Sequence, residues 1–279
     1  MKLSRPQSQV AALPPDRHDI PDVQASTDVR EIDIQRVGIK DLRHPLAFVD
    51  RSGTPVNTVA HASMTVHLPK EYKGTHMSRF VELLNESREP LSIRGLQTLV
   101  EMMNERLHAR AGHIELTFPY FLRKQAPVSG VESLMDYSVT LAASVTEQRF
   151  DLTVTTVIPI TSLCPCSKEI SDYGAHNQRS HVTVNARVEP SMWIEDLIDL
   201  VEDQASSELY AFLKRHDEKF VTEQAYDNPK FVEDVIRDVA AQLNMEPRIH
   251  AYTLEVENFE AIHNHSAYAM IEVDDAGGK

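Results

Sequence analysis

The chain is 279 residues long, 42% hydrophobic and 25% charged, which is enough apolar material for a sizeable core and too much for global disorder. Its 28 Lys and Arg against 42 Asp and Glu leave a net charge of -14. Affinity for a phosphate backbone comes mainly from basic side chains, so a general nucleic-acid binder is excluded, and an anionic small molecule needs basic groups gathered locally. No apolar run approaches the roughly 18–20 residues that span a bilayer, so no membrane partner is expected.

In chain order, the opening MKLSRPQSQVAALPPDRHDIPDVQ has no continuous apolar stretch of the kind a secretory signal needs. Pro6, Pro14, Pro15 and Pro21 mark residues 1–30 as an extended or disordered lead-in. The chain holds two cysteines, Cys164 and Cys166, and so reads as a soluble, cytoplasmic protein rather than a disulfide scaffold.

From about residue 31 the pattern becomes structured. Residues 57–68, 113–121, 135–146 and 150–160 are rich in β-formers and read as strands. Residues 77–85 and 93–109 have helical spacing, with Leu96, Leu99, Val100, Met103 and Leu107 on one face. In the second half, residues 181–189 alternate, with Val182, Val184, Ala186 and Val188 on one side. The stripe Ile194, Leu197, Ile198, Val201, Ala205, Leu209 and Phe212 predicts one long helix. Asn228 as N-cap and Pro229 at the first helical position predict another, with Val232, Val235, Ile236, Val239 and Leu243 on its apolar face. Strands over 250–257 and 267–273 close the chain. The reading is an α+β fold in two halves, 31–150 and 151–279, each with an antiparallel sheet and the second carrying the chemistry. Nine glycines, with neither GxGxxG nor GxxxxGK[ST] among them, argue against dinucleotide-binding and P-loop chemistry.

The densest polar stretch is SLCPCSKEISDYGAHNQRS, residues 162–180, a connection between two apolar strands. Loops on rigid scaffolds are where binding and catalytic groups concentrate. Two small core residues would be the bland account of Cys-Pro-Cys. A disulfide between them would close a very small, strained ring. A metal site is the sharper account: Cys164 and His176 supply two of the usual zinc donors, and three protein ligands plus water make a catalytic site. If both cysteines bound one ion, a closed structural site would follow instead. Residues 217–223, DEKFVTE, read as a solvated charged linker, and Glu233 as a helix-flank charge. His263-Asn264-His265 is either a polar hairpin loop or a pair of imidazoles aimed at one pocket, since extended residues i and i+2 face the same way. Gly74 to Arg79 reads as a helix start that can also hold an anion.

These residues carry a resemblance. The segments SLCPCSKEISDYGAHNQRS, GTHMSRF, DEKFVTEQAYDNPKFVEDVIRDV and ENFEAIHNHSAYA resemble the prokaryotic type IB GTP cyclohydrolases, from about Ile20 almost to the C-terminus. The resemblance implies a bimodular tunnelling fold, each half an antiparallel sheet backed by two helices, assembled usually as homotetramers with active sites at interfaces. It implies that GTP and water give 7,8-dihydroneopterin triphosphate and formate, the first step toward tetrahydrofolate. It also implies Cys164, His176 and Glu218 as ligands of one divalent metal, Glu233 as the carboxylate on the guanine edge, and His263 and His265 as active-site histidines.

Those assignments make chemical sense. A metal lowers the pKa of water for attack on guanine C8, and mixed soft and hard donors suit zinc, manganese or ferrous iron. Ring opening and formate release need proton transfers, which suit His263 and His265; Cys166, outside the primary coordination shell, is grouped with them. A carboxylate at the N1–H and 2-amino edge discriminates against adenine. Lys168, Arg179 and Arg79 are the cations expected to meet the triphosphate. Two other classes compete. A tunnelling-fold nitrile reductase would use a nucleophilic Cys with NADPH, but its Glu-Ser-Lys-Ser-x-Lys signature is missing. A non-catalytic metal-binding protein would leave the extra histidines unexplained.

Overall fold

The computed structural model describes residues 22–274 apart from 88, 147 and 148. Residues 1–21, most of the expected lead-in, lie outside the described residues. Residues 22–30 run beside 71–74, with Asp28 N–H donating to Glu71 O at 3.2 Å and Lys73 N–H to Ser26 O at 3.0 Å.

The first half holds β1 (Ile34–Val49), β2 (Pro55–Leu68), α1 (Ser78–Glu86), α2 (Ile93–Leu107), β3 (Ala111–Gln125) and β4 (Glu132–Thr146). The second holds β5 (Arg149–Leu163), α3 (Pro165–Ile170), β6 (Asn177–Val188), α4 (Ile194–Glu202), α5 (Arg215–Asp227), α6 (Val232–Met245), β7 (Ile249–Asn258) and β8 (Ala267–Val273). All eight strands join one antiparallel sheet in chain order, so the strands of the two halves run on into each other through β4 and β5. The fold class is α+β.

Period-two alternation gives the sheet one apolar face. Leu116, Leu141, Val154 and Ala186 are successive cross-strand partners on it, all buried in one continuous cluster. Helices cover this face: α2 lies on β3 and β4, α4 on β5, and α6 on β7 and β8. The Ser92 hydroxyl caps α2 by accepting from Gly95 N–H at 3.0 Å, and Leu96, Val100 and Met103 are completely buried beneath it. Each such side chain contributes about 1.5–3 kcal/mol by leaving water. The opposite face is polar, with half-buried Thr117, Thr140, Thr155 and Thr253 and exposed Asn185 in register across five strands.

Three expectations are corrected. The long helix over 194–212 stops at Glu202, because residues 206–207 pair with the end of β5 instead of continuing it. Ser206 N–H donates to Thr161 O, Thr161 N–H to Ser207 O, and Leu163 N–H to the Ser206 hydroxyl. The charged stretch read as a linker is α5. Asn228 does not open α6; it closes α5 and donates its amide to Ala205 O at 2.8 Å, while Pro229 follows as a stop. The opening of α6 lies at Val232, where Asp234 accepts the Phe231 N–H at 2.9 Å. Two elements had no sequence expectation. β1 carries register shifts flanking Gly38, where a Cβ would lie 2.0 Å from Met64 O. α3 is a single short helix inside the polar connection. Among the described residues, no helix is long and apolar enough to cross a membrane.

Candidate active site

The functional candidates of the second half gather at one end of the sheet. β5 ends there at Leu163, paired with Asn177 at the start of β6, while β7 ends there at Asn258, opposite Ala267 of β8. Two of the connections at this end, 164–176 and 259–266, carry the cysteines and all three candidate histidines. Phe259 N–H donates to Arg179 O at 3.0 Å, and its ring meets the His181 ring edge-on at 4.8 Å, tying the second connection to β6.

Cys164 is the N-cap of α3, with Pro165 opening the helix, and its Sγ accepts from Ser167 N–H at 3.4 Å. Gly174, at φ +106°, turns the chain through a region L side chains avoid and returns it to His176. Cys164 N–H then donates to His176 O at 3.1 Å, and the Ser167 hydroxyl donates to Cys164 O and accepts from His176 N–H, both at 3.2 Å. The backbones of Cys164 and His176 are therefore clamped together at the end of the sheet. Both cysteines are free thiols, Cys164 half-buried and Cys166 exposed.

The imidazole has a second restraint. His176 Nδ1 lies 2.9 Å from Gln178 Oε1, and Gln178 Nε2 donates to the Ser162 hydroxyl at 2.8 Å. Sequence reasoning passed over Gln178; its signal was its place two residues after His176 entering a strand, where i and i+2 share a face.

Glu218 lies exposed in the first turn of α5. Its neighbour Asp217, read as one more linker carboxylate, is fully buried and anchors the helix to the turn between β3 and β4. It accepts from Val128 N–H at 2.8 Å, Ser129 N–H at 2.7 Å, the Ser129 hydroxyl at 2.6 Å and Lys214 N–H at 2.9 Å. Burial pushes the Asp217 carboxyl up, but the Ser129 hydroxyl and the three amides together hold it well below the usual carboxylate range. That turn also lies at the Cys164 end of the sheet. Among the described residues, no three His, Cys, Asp or Glu side chains come within reach of one metal ion. Cys164 and His176 are brought together; Glu218 is brought to the same end without joining them.

The remaining candidates divide. Lys168 on α3 donates to Tyr226 O and lies 4.3 Å above the Tyr226 ring, so it fastens α3 to α5. Arg179 is exposed near the start of β6. Glu233 is exposed in the first turn of α6, whose approach is tied to the site by Lys230 N–H donating to Leu163 O at 3.0 Å. His263 and His265 are exposed, with rings stacked at 5.1 Å and 17°; they pair within a bent loop rather than an extended segment. Arg79 is not brought to this group. It follows β2, at the end of the sheet where β5 begins, and donates to Arg106 O at 3.1 Å. Fifteen-residue β5 separates the two ends by about 45 Å at about 3.3 Å per residue.

Residues 20–269 match the family model described as type I GTP cyclohydrolase folE2. The chain belongs to that family. It is 58% identical over 263 residues to the GTP cyclohydrolase FolE2 of Methylobacillus flagellatus, covering 94% of this chain and 97% of that one. To the GTP cyclohydrolase FolE2 of Nitrosococcus oceani it is 59% identical over 260 residues, covering 93% and 97%. Among solved structures it is similar to the uricase of Arthrobacter globiformis, with a TM-score of 0.51 and 9% identity over 88% of this chain and 95% of that one. At that identity the likeness concerns the fold alone, and it agrees with the tunnelling architecture the resemblance implies. Family membership disfavours both the nitrile reductase and the non-catalytic readings.

Proposed function

We propose that this FolE2-family chain is a metal-dependent GTP cyclohydrolase, converting GTP and water to 7,8-dihydroneopterin triphosphate and formate at the Cys164 end of the sheet. The observation that carries the site is the clamp between Cys164 and His176, with Gln178 occupying the imidazole Nδ1.

The donors fit a divalent cation. A Cys thiolate and an imidazole whose Nδ1 is already engaged leave a sulfur and Nε2 for coordination, and Glu218, which lies at the same end of the sheet without joining them, must move in to be the third ligand of this reading. Zinc, manganese and ferrous iron all suit this donor set. When bound, the ion lowers the pKa of water for attack on guanine C8. The chain's own residues then bind and move protons. Glu233 accepts hydrogen bonds from guanine N1–H and the 2-amino group, an edge adenine lacks. His263 and His265, close enough to stack, exchange protons with the opening imidazole ring and the departing formate, and Cys166 on α3 is grouped with them in this reading. Arg179 meets the triphosphate, and Lys168 supports it from α3. Arg79 contributes to a triphosphate site only from another subunit of the homo-oligomer, a tetramer in this reading, since its own chain holds it at the far end of the sheet.

The test is incubation of the purified protein with GTP and Zn²⁺, Mn²⁺ or Fe²⁺, following formate and the fluorescence of the oxidised pterin. One formate per pterin, lost on chelation, is expected. Absence of both products with every metal refutes the proposal.

A further inference from the structure

Gln178 is the second residue of β6, and it is only 8% exposed while its neighbours Asn177 and Arg179 face solvent. A buried amide needs partners at both ends, because a polar group cut off from water gives up its hydrogen bonds to water and must replace them within the protein. Gln178 has them. Beyond its bond to Ser162, the Ser162 hydroxyl shares a 2.8 Å hydrogen bond with the Ser180 hydroxyl, and both serines are completely buried. A polar chain thus runs from the interior, through Ser180, Ser162 and Gln178, to His176 Nδ1. A neutral imidazole has one donor and one acceptor nitrogen. An amide oxygen 2.9 Å from Nδ1 selects the form with the proton on Nδ1, which leaves the lone pair on Nε2.

We infer that Gln178 is a positioning residue: supported by Ser162 and Ser180, it holds His176 as the Nδ1–H tautomer and presents Nε2 to a divalent cation. The consequence for metal binding rests on the proposal above that His176 is a ligand; the tautomer itself belongs to the metal-free protein.

The experiment uses the full chain, stripped of metal by a chelator, with ¹⁵N-labelled histidine. Long-range ¹H–¹⁵N correlation spectra are recorded above the ordinary histidine titration range, with His176→Ala identifying the signals. Zn²⁺ affinity is measured in parallel by competition with a chromophoric chelator. The wild-type protein is expected to show the Nδ1–H pattern. Gln178→Leu should lose that pattern and bind Zn²⁺ about 10–100-fold more weakly, the usual effect of removing a group that orients a metal-bound imidazole. Gln178→Glu, which keeps an acceptor oxygen opposite Nδ1, should retain both. A wild-type proton on Nε2, the pattern of a flipped amide, overturns the inference. So does a Gln178→Leu protein with unchanged tautomer and affinity, or one that is merely less stable. Should Gln178→Leu fail to fold, Gln178→Glu decides: a retained Nδ1 proton supports the inference and a lost one overturns it. Wild-type Zn²⁺ affinity in His176→Ala overturns the metal reading and the binding consequence with it, while the tautomer is still judged by the spectra.

Discussion

Removing the Lys124 charge should cost this protein more than any single surface change, and the cost should depend on pH. Lys124, on β3, is 8% exposed and places Nζ 2.7 Å from both Glu202 Oε2 and Glu208 Oε2. The side chain of Glu202, the last residue of α4, is 5% exposed and takes a second hydrogen bond from the Tyr137 hydroxyl at 2.8 Å; that of Glu208, 33% exposed, can be hydrated instead. Lys124→Met keeps most of the side-chain volume and strands one buried carboxylate. Breaking a buried pair from one side costs about 3–5 kcal/mol. With Tyr137 still donating, about 3 kcal/mol is expected, a large part of a typical domain stability of about 5–15 kcal/mol. Burial already pushes the Glu202 carboxyl above the ordinary carboxylate value against the pull of Lys124. The folded carboxyl is thus harder to ionise than the unfolded one, so stability from this residue is fullest at acid pH and falls as pH rises through the raised value. Without Lys124 that value rises further. Urea unfolding at about pH 8 and about pH 5 should show the Lys124→Met deficit shrinking on the acid side, where Glu202 takes up a proton. Adding Glu202→Gln should recover much of it at neutral pH. A deficit below about 1 kcal/mol, or one equal at both pH values, would refute the reasoning.

Three further outcomes concern the proposed chemistry. Cys164→Ala should strip bound metal and abolish turnover while Cys166→Ala keeps its metal; elemental analysis showing equal loss in both would point to a dithiolate site. Glu233→Gln should weaken kcat/KM for GTP by about 1.5–3 kcal/mol, the scale of a hydrogen bond to a charged group, with metal content unchanged; loss of metal in this variant would assign Glu233 a different role. His263→Ala and His265→Ala should each lower turnover about 10²–10⁴-fold at full metal occupancy, and metal lost in step with activity would make one of them a ligand.

Much of the molecule was legible in the chain alone. β-forming composition and alternation located every strand but β1, and the spacing of Leu96, Val100 and Met103 located α2, because residue type and local periodicity report which elements form and which face is apolar. The polar connection from Ser162 to Ser180 likewise marked out one end of the sheet, whereas His263 and His265 stack within a bent loop and not through the extended i and i+2 spacing. The helical stripe after Ile194 was misleading beyond Glu202 for the same reason: periodicity registers apolar spacing, but not that Ser206 and Ser207 exchange helical hydrogen bonds for bonds to Thr161 and Leu163 on β5. Asp217 looked like a solvated charge until the turn at Val128 and Ser129, far away in the chain, supplied its donors. Arg79 was grouped with Arg179 only as a cation for the triphosphate, and the strand order sets the two at opposite ends of β5 within one chain. Local sequence determines which residues turn inward and which chemistry they carry; which of them meet depends on hydrogen bonds between strands and loops distant in the chain, and only the tertiary structure decides that.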